Sequence, residues 1–184
     1  MRKINLIVVH CSATREGTPL PPDALDRIHR QRGFNGTGYH YYIRCDGTIY
    51  FTRPIEHIGA HAKGFNAHSI GICYEGGLDC RGHPKDTRTP AQQKALGSLI
   101  RMLLSQFPGC RVCGHRDLSP DRNGNGEIEP EEWIKACPCF DAEKEYGPLT
   151  QTQTQTQTQT QTQTQTQTQS KTETENTGKK RKEV

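Results

Sequence analysis

The sequence predicts an α/β fold in which a central mixed β-sheet is flanked by helices. Three observations predict it. Ile4 to His10 is almost continuously apolar and rich in β-branched residues, as a strand buried on both faces should be. Two further segments carry helix start and stop signals, and short apolar runs lie between and after them. Asp46-Gly47, between two such runs, is a hairpin signal. Strands interleaved with helices give a sheet covered by helices.

In chain order, Ile4 to His10 is the first strand. Pro21-Pro22 followed by Asp23-Ala24-Leu25 opens a helix, since proline is tolerated in a first turn, and Gly33 is a fitting stop. Tyr39 to Cys45 and Thr48 to Thr52 are the hairpin strands, and Ser69 to Tyr74 is another strand. Thr89-Pro90 caps the clearest helix, whose Leu96, Leu99, Ile100, Leu103 and Leu104 recur on one face. Gly109 ends it, and Arg111 to Gly114 forms a short strand that delivers His115. An Asn-Gly turn and a helix begun at Pro130 follow.

One domain is expected over residues 1–147, with a disordered tail over 148–184. From Thr150 to Gln169 the chain alternates Thr and Gln without a break, and such a segment has no apolar surface to offset the entropy of ordering. The formal net charge is +4. Five basic and three acidic residues in the tail account for half of it, so the domain lacks the broad basic footprint of a nucleic-acid binder. The terminal Lys179-Lys180-Arg181-Lys182 is either an adhesion point for anionic polymers or membrane surfaces, or a solvated end.

No hydrophobic segment has transmembrane length, and the first apolar run is too short for a secretory core. Synthesis in the cytoplasm is therefore expected, and the eight cysteines are read as thiols rather than a disulfide framework. Cys110-Arg111-Val112-Cys113 and Cys137-Pro138-Cys139 also read as halves of a zinc ribbon, but the second spacing is too tight and the first pair lies on a strand.

His10 closes the first strand, His115 follows the last, and Cys137 lies in Lys135-Ala136-Cys137-Pro138. Two imidazoles and a thiolate suit zinc, and three protein ligands leave a position open for water. No compact motif connects them. Their surroundings do. Val9-His10-Cys11-Ser12-Ala13-Thr14, Gly38-Tyr39-His40, Asp46-Gly47-Thr48, His61-Ala62-Lys63-Gly64-Phe65-Asn66, Ser69-Ile70-Gly71-Ile72, Thr89-Pro90-Ala91-Gln92, Gly114-His115-Arg116 and Lys135-Ala136-Cys137-Pro138 come in this order. From about Ile4 to Asp141 the chain resembles the zinc-dependent type 2 N-acetylmuramoyl-L-alanine amidases. It is most like the small bacteriophage amidase lysozymes, which share a fold with animal peptidoglycan recognition proteins.

The resemblance implies a zinc site at the base of a surface cleft, held by His10, His115 and Cys137. It implies hydrolysis of the amide between N-acetylmuramic acid and L-alanine of the stem peptide by a zinc-activated water. Tyr39 matches the family tyrosine beside the metal, and Lys135 the lysine that stabilises the oxyanion. His61, Lys63 and Asn66 match a segment that lines the substrate groove. Many relatives carry a glutamate general base where this chain has Cys73, and an ordinary thiol is a poor substitute, so Cys73 is read as core. His29, His40, His57, His68 and His83 are left as surface or structural residues.

A second ion is expected of the segment from Asp121 to Glu132 if it acts as a twelve-residue calcium loop. Asp121, Asn123, Asn125, Glu127, Glu129 and Glu132 supply oxygens at the required positions, with Gly126 at the sixth. The entering helix is missing, and an ordinary turn is the competing reading. Calcium there would fix the segment that presents Lys135 and Cys137. The partner expected is peptidoglycan or a muropeptide, met at the cell wall after release, by a monomer. A recognition module that binds muropeptides without cutting them is the alternative, and a regulatory partner protein a more distant one.

Overall fold

The computed structural model describes residues 2–150, and the expectation for the Thr-Gln tail falls largely on 151–184, outside the described residues. A five-stranded sheet in the order β4-β3-β5-β1-β7 forms its centre. Its strands are β1 (Leu6–Cys11), β3 (Tyr41–Ile43), β4 (Ile49–Phe51), β5 (Ser69–Tyr74) and β7 (Arg111–Gly114). β1 pairs in parallel with both β5 and β7, while β3 and β4 form the antiparallel hairpin, so the sheet is mixed as expected. A small second sheet pairs β2 (Thr14–Arg15) with β6 (Gly77–Leu78).

β1 is buried along its whole length because side chains pack over both faces of the sheet. Alternation of side chains assigns its residues to opposite sides. Ile7, Val9 and Cys11 join Ile70, Ile72, Tyr74 and Val112 against helix α2 (Pro90–Gln106), whose Leu96, Leu99, Ile100, Leu103 and Leu104 are all buried there. Each such side chain contributes about 1.5–3 kcal/mol through burial. Thr89 caps α2 with a capping box to Gln92, and the chain leaves the helix before Gly109, whose φ is +80°.

Leu6 and Val8 point to the other face, with Cys113, and the same alternation sends His10 there. Helix α1 (Pro22–Gln31) covers part of this face through Leu25, over Leu20, Tyr42 and Cys73. The hairpin turn is made at Gly47, with φ +84°, and the strands around it are shorter than the sequence predicted.

Two elements differ from expectation. A helix α3 at residues 142–150, which the sequence reading left out, packs Ala142 and Tyr146 into the core under α2. The helix expected from Pro130 is only a 3₁₀ turn, Pro130–Glu132. Trp133 is extended, with φ −62° and ψ 121°, and Pro138 lies five residues further on without an amide N–H to continue a helix. Lys135 and Cys137 therefore stand on irregular chain.

Candidate metal centre

The centre forms beyond the carboxyl ends of β1 and β7, where parallel sheets habitually collect ligands. His10 is the last but one residue of β1, and His115 follows β7, its amide bonded to the Val9 carbonyl at 3.1 Å. Their rings lie 4.7 Å apart. Cys137 is brought in by the Arg116 amide, which donates to the Cys137 carbonyl at 2.8 Å, and by Pro138, which packs on Gly114 so closely that a Cβ there would overlap its ring. Tyr74 Oη donates to the Pro138 carbonyl at 2.6 Å.

The ligand atoms of His10, His115 and Cys137 all lie within 4.8 Å of one another, the one such group of three or more His, Cys, Asp or Glu among the described residues. His10 Nδ1 is 3.8 Å from Cys137 Sγ. The Cys11 amide donates to that sulfur at 3.3 Å, which suits a sulfur carrying negative charge. Burial, then the neighbouring His61, His115 and Lys135, hold His10 far below the usual imidazole range. Burial and Lys135 lower His115 as well. Both rings are thus neutral near pH 7, as metal ligands must be.

Tyr39 is half-buried, with its ring 5.1 Å from that of His10. Burial, reinforced by Cys73, Cys137 and Cys11, raises its phenol well above the ordinary value. Cys73 is fully buried beneath it, in hydrogen-bonding contact with Tyr39, and burial raises its thiol well above normal. It stays protonated, so the reading of Cys73 as core agrees with its surroundings.

Lys135 is exposed and lines a cleft of about 510 Å³ together with His61, Lys63, Asn66, His115 and Phe34. The expected groove residues divide there. Lys63 is exposed on the wall, whereas Asn66 Oδ1 accepts the amides of His61 and Ala62, each at 2.9 Å, and braces the loop. His61 is buried, and its Nδ1 lies 3.0 Å from His10 Nε2. Of the histidines without a stated role, His40 is fully buried and accepts the Gly71 amide, and His29 packs on Tyr39.

Oxygens of Asp121, Asn123, Asn125 and Glu132 are turned to the loop's own backbone. Asp121 accepts the amides of Gly124 and Gly126, and Glu132 those of Arg122, Asn123 and Glu129. Asn123 and Asn125 each accept an amide two residues on, and Asn123 Nδ2 donates to Glu129. All eight cysteines are free, and among the described residues no helix is long and apolar enough to cross a membrane.

Comparison with known proteins identifies the family. The N-acetylmuramoyl-L-alanine amidase family model matches residues 1–131. The endolysin of Klebsiella phage KP32 is 37% identical over 138 residues, 75% of this chain and 82% of that one. Among solved structures, the N-acetylmuramoyl-L-alanine amidase LysC from Clostridium intestinale superposes with a TM-score of 0.59 at 32% identity, covering 78% of this chain and 82% of its own. Drosophila PGRP-LB shares the fold, with a TM-score of 0.58 at 23% identity over 79% of this chain and 81% of its own. The chain belongs to the N-acetylmuramoyl-L-alanine amidase family and is a peptidoglycan hydrolase of the endolysin kind. The family match stops at residue 131, short of Lys135 and Cys137, so that part of the centre rests on geometry.

Proposed function

We propose that the chain cuts the amide between the lactyl group of N-acetylmuramic acid and L-alanine of the stem peptide, with zinc held by His10, His115 and Cys137. The observation that carries this reading is the convergence of those three ligand atoms within 4.8 Å beside the cleft that His115 and Lys135 line. The donor set fits the ion: two neutral imidazoles and a sulfur that already accepts an amide hydrogen bond. When bound, zinc supplies an activated water and polarises the scissile carbonyl.

The chain's own groups do the rest. Lys135 directs a cation into the cleft, where it stabilises the oxyanion of the tetrahedral intermediate. Tyr39, held protonated, orients water or substrate as a hydrogen-bond donor. Lys63, which lines the same cleft, offers a charge to the stem peptide. Cys73 takes no proton because its thiol is buried and neutral. Calcium in the Asp121–Glu132 loop is the subordinate part of this reading, supported by the oxygen spacing, and would stiffen the path to Lys135 and Cys137. The protein acts as a monomer on the cell wall after release from the cell that makes it.

Purified, zinc-loaded protein incubated with defined muropeptides and followed by mass spectrometry tests the proposal. Release of intact stem peptide, abolished by a chelator and restored by zinc, is the expected result. Tight binding without cleavage would favour a recognition module instead. For the loop, calcium is expected to raise the melting temperature of the wild type and not of Glu132→Gln.

A further inference from the structure

We propose that His61 is a positioning residue that fixes, through a buried chain His10–His61–Ser69, which nitrogen of His10 faces the metal. The inference rests on the reading of His10, His115 and Cys137 as a metal centre. His10 turns Nδ1 toward Cys137 Sγ, at 3.8 Å, and its other nitrogen, Nε2, lies 3.0 Å from Nδ1 of His61. On the far side of that ring, His61 Nε2 lies 3.4 Å from Ser69 Oγ. The three residues are 1%, 9% and 0% exposed, so solvent is a poor substitute for any of these partners.

With metal at His10 Nδ1, one proton arrangement satisfies the whole chain. A ligand nitrogen must offer its lone pair, so metal at Nδ1 leaves the His10 proton on Nε2, which donates to His61. His61 then accepts at Nδ1 and carries its own proton on Nε2, directed at the Ser69 hydroxyl oxygen. The other His10 tautomer protonates the ligand atom and needs the reverse chain, Ser69 donating to His61 Nε2 and His61 Nδ1 to His10 Nε2. His61 therefore engages Nε2, leaves Nδ1 toward Cys137, and supplies the acceptor that the metal-binding tautomer needs, the task that partners of ligating histidines perform elsewhere.

The packing around His61 serves that role better than contact with substrate. Its ring sits in a slot between two glycines: a Cβ at Gly59 would come within 2.5 Å of the ring, and one at Gly71 within 2.6 Å. Gly71 is paired with Val8, two residues before His10, so the slot is cut into the same face of the sheet. The His61 amide is fixed by Asn66 Oδ1 at 2.9 Å. Both ring nitrogens are taken up by protein partners, although the residue borders the cleft.

Zinc affinity, measured by competition with a chromophoric chelator, tests this in wild type, His61→Asn, His61→Leu and Ser69→Ala. Asn returns an amide oxygen near the place of Nδ1, and Leu has the same size without an acceptor. His61→Leu is expected to bind zinc about 10–100-fold more weakly, with His61→Asn recovering most of the loss. The visible spectrum of the cobalt-loaded protein should change in Leu and not in Asn, and nitrogen NMR of the zinc-loaded wild type should place the protons of His10 and His61 on Nε2. Wild-type affinity in His61→Leu, or a His10 proton on Nδ1, would overturn the relay. Should His61→Leu fail to fold, Ser69→Ala decides, with weaker zinc binding at unchanged metal-free melting expected and equal affinity overturning the chain. Because the readout is metal binding, an active wild type indifferent to His61→Leu sinks the relay alone. A wild type that binds zinc yet cuts no muropeptide sinks only the amidase reading.

Discussion

His10 stands on a strand hydrogen-bonded on both sides, whereas Cys137 stands on irregular chain held by scattered contacts. The strand places His10 through ladder geometry, and any variant that keeps the alternation keeps its direction. Cys137 depends instead on the Arg116 amide, the Cys11 amide and the fit of Pro138 against Gly114, and further back on a loop tied to its own carboxylates. The centre is thus half scaffold and half strap. Rigid elements set where the ligands meet, and the strap closes the set and adds Lys135.

The largest test of this division is Cys137→Ala, which should reduce muropeptide hydrolysis about a thousandfold or more and release zinc, while the metal-free melting temperature stays close to wild type. A large loss of stability would show that the strap belongs to the scaffold. Lys135→Met should lower kcat about 10²–10³-fold with zinc content unchanged, as expected when an oxyanion partner is lost. Loss of zinc in that variant would reassign Lys135 to holding the strap.

Acid should strike the scaffold half. His40 is fully buried, and burial lowers its pKa from the ordinary 6.5 to about 4. The unfolded chain takes up a proton below about pH 6.5 that the folded one refuses until about pH 4, so stability falls as pH falls through this window. The loss from this ring should be about 2 kcal/mol at pH 5, read from urea midpoints of metal-free protein, and His40→Asn should flatten it.

The smallest effects separate two glycines. Gly71→Ala drives a methyl into the His61 ring and should cost about 1–3 kcal/mol. Gly124→Ala, in open space at φ +74°, should cost about 1 kcal/mol from backbone strain alone. Equal costs in urea unfolding would erase the distinction between slot and loop.

The scaffold was the more legible half. Ser69–Tyr74, Arg111–Gly114 and the Thr89 cap fall where periodicity and turn chemistry put them, because these signals are local. The strap was misread: Pro130 opens one 3₁₀ turn rather than a helix, since Glu132 turns back to cap the loop amides. His61 and Asn66 do line the cleft, but a histidine in a polar loop carries no sign of its partner His10, and side-chain capping of a loop looks the same in sequence as an exposed amide. A histidine set between Gly59 and Gly71 in space, yet ten residues from one of them in the chain, leaves no local pattern to find.

By itself the sequence determined the class of fold, the strand that carries His10, the two helices with clear start signals, and, through its ordered run of motifs, the amidase family. These follow from residue type and spacing along the chain. Only the tertiary structure decided which ligand atoms meet, that Cys73 stays protonated under Tyr39, and that His61 at the cleft's edge also reaches His10. Those depend on through-space distance, strand register and burial, and side chains more than a hundred residues apart in the chain share the centre.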